Sequence, residues 1–274
     1  MSKISILGCG WLGLPLAKRL IEKGNSVKGS TTSENKLSVL HDAGINPFLI
    51  VLESQSVSEN IADFLAESEI LIIDIPPKLR GNNSDSLNSS RKIFVEKIQT
   101  LIPFIEKSSI KKVLFASSTS VYGDENEWIT EKTIPNPETE SGKQLLLAEA
   151  ILRENKNFET TILRFGGLIG EDRHPVKFLA GKENLENPDA PVNLIHQNDC
   201  ITIIEEIIHQ AKWNEVFNAV APFHPTREEY YTQKAKLQNL NLPRFNSEKS
   251  NVKKTISSEK LESDLNFQFT LDKY

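Results

Sequence analysis

A doubly wound α/β fold is expected for this 274-residue chain: a parallel sheet of about seven strands with helices on both faces. Three features carry that expectation. An apolar run, Ile4-Ser5-Ile6-Leu7, leads into Gly8-Cys9-Gly10-Trp11-Leu12-Gly13, a G-x-G-x-x-G turn that opens a helical pattern. Apolar runs and helical stretches then follow one another along the chain. Runs such as Ile70-Leu71-Ile72-Ile73 are apolar throughout, which suits parallel strands covered on both faces.

Residues 12–23 read as the first helix, with Leu16, Leu20 and Ile21 on one face and Gly24 placed as its terminal cap. The glycines before it have separate tasks. Gly8 makes the turn, Gly10 lets a pyrophosphate approach the backbone, and Gly13 lets helix and strand pack closely. Trp11 and Leu12 supply the amides at the helix start, where free N–H groups and the helix dipole favour negative charge. A dinucleotide site is the functional reading of this stretch.

The second strand, 26–30, ends in Ser30-Thr31-Thr32-Ser33-Glu34, with Lys36 nearby. NAD enzymes place a carboxylate on the ribose about 20 residues past the turn. Here Ser30, Thr31 and Thr32 put hydroxyls there, and these with a lysine accept a 2′-phosphate, so NADP is expected. Glu34 keeps NAD open, and Ser33 doubles as a cap for a helix over 34–43.

Residues 47–52 form a third strand, 58–67 a helix, and 69–75 a fourth strand stopped by Pro76-Pro77. Ligands bind at the carboxyl edge of such strands, which places Pro76 at the cofactor and makes 76–90 either a flap or a surface loop. A long helix over 90–107 carries Ile93, Ile98, Leu101, Ile102 and Ile105 at helical spacing. The fifth strand, 113–116, runs into Ser117-Ser118-Thr119-Ser120-Val121-Tyr122-Gly123. A helix over 138–154 and a sixth strand over 160–165 follow. Gly166 and Gly167 then suit backbone passing close to the nicotinamide, and Arg173 offers a bidentate grip on a phosphate or carboxylate. Further elements are expected at 200–213, 214–221 and 226–238, with an exposed loop at 177–191.

Net charge is −5, which argues against nucleic acid and acidic membranes as partners. The two cysteines, Cys9 and Cys200, lack metal-ligand spacing, and five scattered histidines suggest no metal site. The sequence shows no leader pattern and no membrane-length apolar run, so a cytoplasmic protein with a small-molecule substrate is expected.

Ser117-Ser118-Thr119-Ser120-Val121-Tyr122-Gly123 behind an N-terminal glycine turn resembles the extended short-chain dehydrogenases, which include nucleotide-sugar epimerases and dehydratases. The resemblance continues through residues 163–173, through Asn193-Leu194-Ile195-His196-Gln197-Asn198-Asp199, and through Val216-Phe217-Asn218. It implies a Rossmann-type domain over 1–165 and a smaller substrate-side subdomain over 166–274, partly interleaved with the first. It also implies Ser118 or Thr119 as the hydroxyl on the substrate oxygen, Ser117 at the cofactor, Tyr122 and Arg173 at the substrate, and Asp199 as a helix cap. A homodimer through helices 90–107 and 138–154 would follow the same pattern.

Family members use a Tyr-x-x-x-Lys pair one helical turn apart, in which the lysine holds the ribose and favours the phenolate. Lys143 fills the lysine place in this resemblance and Thr139 stands where the tyrosine belongs, as in the atypical subgroup that lacks the phenol. Three readings stay open. Lys143 binds the ribose while another acid (Tyr122, Glu140 or His196) or none takes part; the protein binds dinucleotide without turnover; or Lys143 is a solvated surface lysine. The functional expectations are an NADP-dependent reductase or epimerase-like enzyme acting on a small hydroxyl or keto compound, or a dinucleotide-binding redox sensor.

Overall fold

The structure is a computed structural model that describes residues 1–77, 93–124, 128–248 and 252–270. The chain opens with β1 (Lys3–Leu7), α1 (Gly13–Glu22), β2 (Ser26–Thr31), α2 (Leu37–Asp42), β3 (Asn46–Leu49), α3 (Ile61–Leu65) and β4 (Ile70–Ile73). It continues through α4 (Ile93–Lys107), β5 (Lys112–Ser118), β6 (Trp128–Ile129), α5 (Glu140–Glu154), β7 (Glu159–Phe165) and β8 (Gly167–Ile169). The last elements are α6 (Val176–Leu179), β9 (Leu194–His196), α7 (Gln197–His209), β10 (Val216–Ala219), α8 (Arg227–Leu237), β11 (Thr255–Ile256) and α9 (Glu259–Leu265).

The central sheet has seven strands in the order β10-β7-β5-β4-β1-β2-β3, and every pairing in it is parallel. The winding reverses between β1 and β4, and a crevice opens at the carboxyl ends of strands at such a reversal. Two short parallel pairs, β8 with β9 and β6 with β11, lie outside the main sheet. Strand β10, from the last third of the chain, forms one edge of the main sheet.

Alternation along β4 explains its apolar run. Ile70 and Ile72 join a core beneath α1, α7 and α9 with Leu16, Leu20, Ile203, Ile207 and Leu261. Leu71 and Ile73 join the opposite core with Phe64, Ile98, Leu101 and Leu152. The one polar residue inside β1, Ser5, is fully buried and donates to the Phe64 carbonyl at 2.7 Å, so its hydroxyl carries no unmet hydrogen bond. A third core of Ile169, Val176, Val192, Leu194, Tyr230 and Ala235 packs beneath β8, β9, α6 and α8.

Asp199 corrects one expectation. Helix α7 is capped by His196, whose Nδ1 accepts from the Asn198 amide at 3.2 Å. Asp199 is fully buried one turn in, and its Oδ1 accepts from the Thr270 amide and hydroxyl at 3.1 and 2.6 Å. It therefore ties the C-terminal segment to the helix. The expected helix at 58–67 shortens to Ile61–Leu65 because Ala66 leaves the helical region at ψ 140°. No helix among the described residues is long and apolar enough to cross a membrane.

A buried polar network joins α5, β5, β7 and β10. Arg164 Nη2 donates to Glu149 Oε2 at 2.6 Å, and both side chains are almost wholly buried. Arg164 Nη1 donates to the Tyr122 hydroxyl at 2.7 Å, which donates to Asn218 Oδ1 at 2.9 Å. Ser117 Oγ donates to Glu149 Oε1 at 2.6 Å. Removing one member of such a pair leaves the other charge stranded, at a cost of about 3–5 kcal/mol. Urea unfolding of Glu149→Ala is expected to show a loss of that order, and an unchanged midpoint would contradict the assignment.

Candidate functional site

The glycine turn sits over the β1/β4 reversal. Gly8 has φ +108°, and a Cβ there would press against the Asp74 carbonyl, so only glycine serves. A Cβ on Gly13 would run into the Gly8 carbonyl. Gly10 faces open space, with no atom within 4 Å of where a side chain would begin. The turn is tied to β2, since the Gly8 amide donates to Ser30 Oγ at 2.9 Å and the Cys9 amide to the Ser30 carbonyl at 2.8 Å. A helix start with open backbone in front of it has the shape and polarity to accept a diphosphate.

Two cavities flank this turn and share Gly10, Asp74, Ile75, Pro76 and Pro77 in their walls. The first is lined by Gly8, Ser30, Thr31, Thr32 and Lys36, and also by Ile93 and Lys97 of α4. Lys97 was missed by sequence reasoning; its only signal there was a spacing of four from Ile93. Cys9 also lines this cavity, but burial pushes its thiol up to about 12, so it stays a neutral thiol.

The second cavity, about 610 Å³, is within the size range of small-molecule sites. Its walls bring together Gly10, Trp11, Leu12, Pro76, Ser117, Ser118, Thr119, Gly166, Gly167 and Arg173, all picked out by sequence. Leu145 and Lys254 line it as well. Ser118 Oγ accepts from the Ser120 amide at 3.1 Å, which fixes the turn after β5. Trp11 organises the opposite wall. Its indole N–H donates to Asp172 Oδ1 at 2.9 Å, and the Arg173 guanidinium stacks over its ring at 4.9 Å. Lys254 Nζ pairs with Asp124 Oδ1 at 2.7 Å.

Two expected residues do not reach the cleft. Tyr122 is 2% exposed, and its hydroxyl is engaged by Arg164 and Asn218, so it braces the floor from below and does not meet substrate. Lys143 is exposed and is not among the described residues lining either cavity. Thr139 caps α5, its hydroxyl accepting from the Gly142 amide at 3.1 Å. Helical phase explains the difference. The residue of α5 that reaches the cleft is Leu145, two positions beyond Lys143 and one turn after Ser141. The other acids that were considered lie elsewhere: Glu140 accepts from Gln144, and His196 caps α7. The proposed flap at 76–90 falls almost wholly outside the described residues. Among the described residues no cluster of three or more His, Cys, Asp or Glu side chains is placed to hold a metal ion.

Asp74 is the acidic side chain in the walls of both cavities. Asp74 is half-buried, and that partial loss of water pushes its carboxyl group up to about 7, opposed by a hydrogen bond from the Gly13 amide.

Residues 4–184 match the model of the NAD dependent epimerase/dehydratase family. Protein YeeZ of Escherichia coli K12 is 34% identical over 271 residues, covering 98% of this chain and 96% of that protein. A structure described as a candidate NAD-dependent epimerase/dehydratase from Methylobacillus flagellatus has a TM-score of 0.75 at 26% identity, covering 100% of this chain and 94% of that one. UDP-glucuronic acid 4-epimerase from Bacillus cereus, in complex with NAD, shares the fold with a TM-score of 0.78 at 15% identity, covering 98% and 92%.

The orientation of α5 yields a test. Lys143→Met is expected to leave dinucleotide affinity unchanged in equilibrium titrations. A pronounced loss of affinity would return Lys143 to the ribose.

Proposed function

The chain belongs to the NAD-dependent epimerase/dehydratase family, and from that premise we propose that it is an NADP-preferring oxidoreductase or epimerase-like enzyme for a small hydroxyl or keto compound bearing a carboxylate or phosphate. One observation carries this reading. Beyond the cavity that suits the adenosine end lies a second, larger one lined by hydroxyls and two cations. A bare binding module has no need of that space.

In this reading the amides of Trp11 and Leu12 hold the diphosphate, while the Gly10 amide closes the turn on the Gly8 carbonyl at 2.8 Å, and Thr31, Thr32, Lys36 and Lys97 surround the adenosine ribose. Two lysines on that cavity favour a 2′-phosphate over a free hydroxyl by charge. When bound, the nicotinamide supplies or accepts the hydride. Ser118 and Thr119 orient the substrate oxygen. Arg173, its planar face already stacked on Trp11, presents its edge to an anion at little entropic cost. Lys254 adds a second positive charge on the same cavity.

The family's phenol and ammonium have no counterpart on the cleft-facing side of α5, where Leu145 stands. That residue favours a second reading, a dinucleotide sensor without turnover. The two readings separate in a panel of keto acids and phosphorylated ketones offered with reduced NADP. Turnover on an anionic member, with KM raised about tenfold in Arg173→Ala, is the expected result. Binding without turnover across the panel, with unequal affinity for oxidised and reduced forms, would install the sensor instead. Lys97→Ala is expected to weaken NADP by about tenfold and to leave NAD unaffected in the same titrations; equal losses for both would remove the 2′-phosphate assignment.

A further inference from the structure

Asp74 occupies an unusual place for a carboxylate. Its backbone is fixed, because its amide donates to the Leu7 carbonyl at 2.9 Å and its own carbonyl packs where a Gly8 side chain would begin. Its side chain reaches Gly13, where Oδ2 lies 3.2 Å from the place a Cβ on that glycine would take, and the carboxylate accepts the Gly13 amide. The acid thus uses a donor at the start of α1. The residue also lies where the two cavities meet. A diphosphate gripped by the neighbouring amides would bring its negative charge to the same place. Two anions at one helix start, in a site partly closed to water, repel each other strongly.

We propose that Asp74 is a binding residue that takes up a proton as the dinucleotide binds, so that the complex carries Asp74 as a neutral acid beside the diphosphate. The proposal rests on the dinucleotide reading of the glycine turn. Protonation removes the repulsion, and the carboxylic O–H becomes a donor facing the cavities in place of a charge. The proton comes from solvent, no bond to carbon is made or broken, and the charge balances as one proton gained per dinucleotide bound.

The groups facing Asp74 make it the titrating centre. From the glycine turn comes Cys9, whose thiol is pushed up to about 12, and from α7 comes Cys200, pushed up well beyond its ordinary value by burial. Neither ionises near neutral pH. Asp199, beside Cys200 on α7, is engaged by Thr270. Lys36 and Lys97 line the first cavity, and Arg173 and Lys254 the second. None of these cations is among the influences on the Asp74 carboxyl group, which are its desolvation and the Gly13 amide.

The sign follows from linkage. Without ligand the carboxyl titrates at about 7. A neighbouring diphosphate raises that value further, so proton uptake grows as pH rises through neutrality and affinity falls over the same interval. Well below neutrality Asp74 is protonated with or without ligand, and affinity is flat.

Calorimetric titration of the full-length protein with NAD⁺, just above neutral pH, tests this in buffers of differing ionisation enthalpy. NAD⁺ is the probe because the 2′-phosphate of NADP itself titrates at about pH 6. The expected result is an uptake approaching one proton per site, abolished in Asp74→Asn, whose affinity is tighter and level with pH. Binding heats independent of the buffer in the wild type would overturn the proposal while leaving the dinucleotide site intact. Uptake that persists in Asp74→Asn would overturn it too, by assigning the proton to another group. No heat with NAD⁺ or NADP at any pH would instead remove the dinucleotide reading on which it stands.

Discussion

The close contact of three backbone segments holds the site together. Gly8 turns against the carbonyl of Asp74, and Gly13 turns against the carbonyl of Gly8. Strand β1, helix α1 and the end of β4 therefore meet backbone to backbone, with the Asp74 carboxylate set against the start of α1. This approach puts the start of α1 at the reversal of strand order and leaves open space beside Gly10, where a side chain would begin. The cavities on either side exist because that junction is thin. A methyl group at Gly8 or Gly13 would force these segments apart.

The second cavity depends on a different constraint. Its floor after β5 is held by the buried chain of Glu149, Arg164, Tyr122 and Asn218, with Ser117 bonded to Glu149. Burying an ion pair contributes little net stability, but it fixes geometry, because each donor has one satisfactory arrangement. The network crosses from α5 to β5, β7 and β10, so the hydroxyl turn at 117–120 is anchored on the same frame that carries the sheet edge. Trp11 performs the matching task across the cleft. Its ring packs on Gly170, receives Arg173 on its face and bonds Asp172, which links the glycine turn to the loop after β8.

Much of this was legible in the chain. The glycine spacing located the turn, and the uniformly apolar β4 announced a strand covered on both sides. The walls of the second cavity were readable because strand ends and glycines mark the carboxyl edge of a parallel sheet. Helical phase was not readable to two residues. Lys143 and Leu145, two residues apart, sit on nearly opposite sides of α5, and Gly142, whose missing side chain lets α5 lie directly against the Ser120 carbonyl, fixes which side meets the sheet. Tyr122 misled for a related reason: its motif position says that it is near the cleft, while its burial against Arg164 is a tertiary fact. Lys97 and Lys254 come from distant segments, and apart from the spacing of Lys97 from Ile93 nothing local to either announces that they line a cavity. Asp74 was not singled out, because within the fourth strand a single acid beside an apolar run carries no functional signal of its own.

The central claim is that a nicotinamide dinucleotide lies across the glycine turn with one end in each cavity. A crystal structure of the protein grown with reduced NADP tests it directly. The account predicts density for the diphosphate on the amides of Trp11 and Leu12, the adenosine between Thr31 and Lys97, and the nicotinamide beside Ser118. A dinucleotide bound elsewhere, or a glycine turn left bare at saturating cofactor, would contradict it.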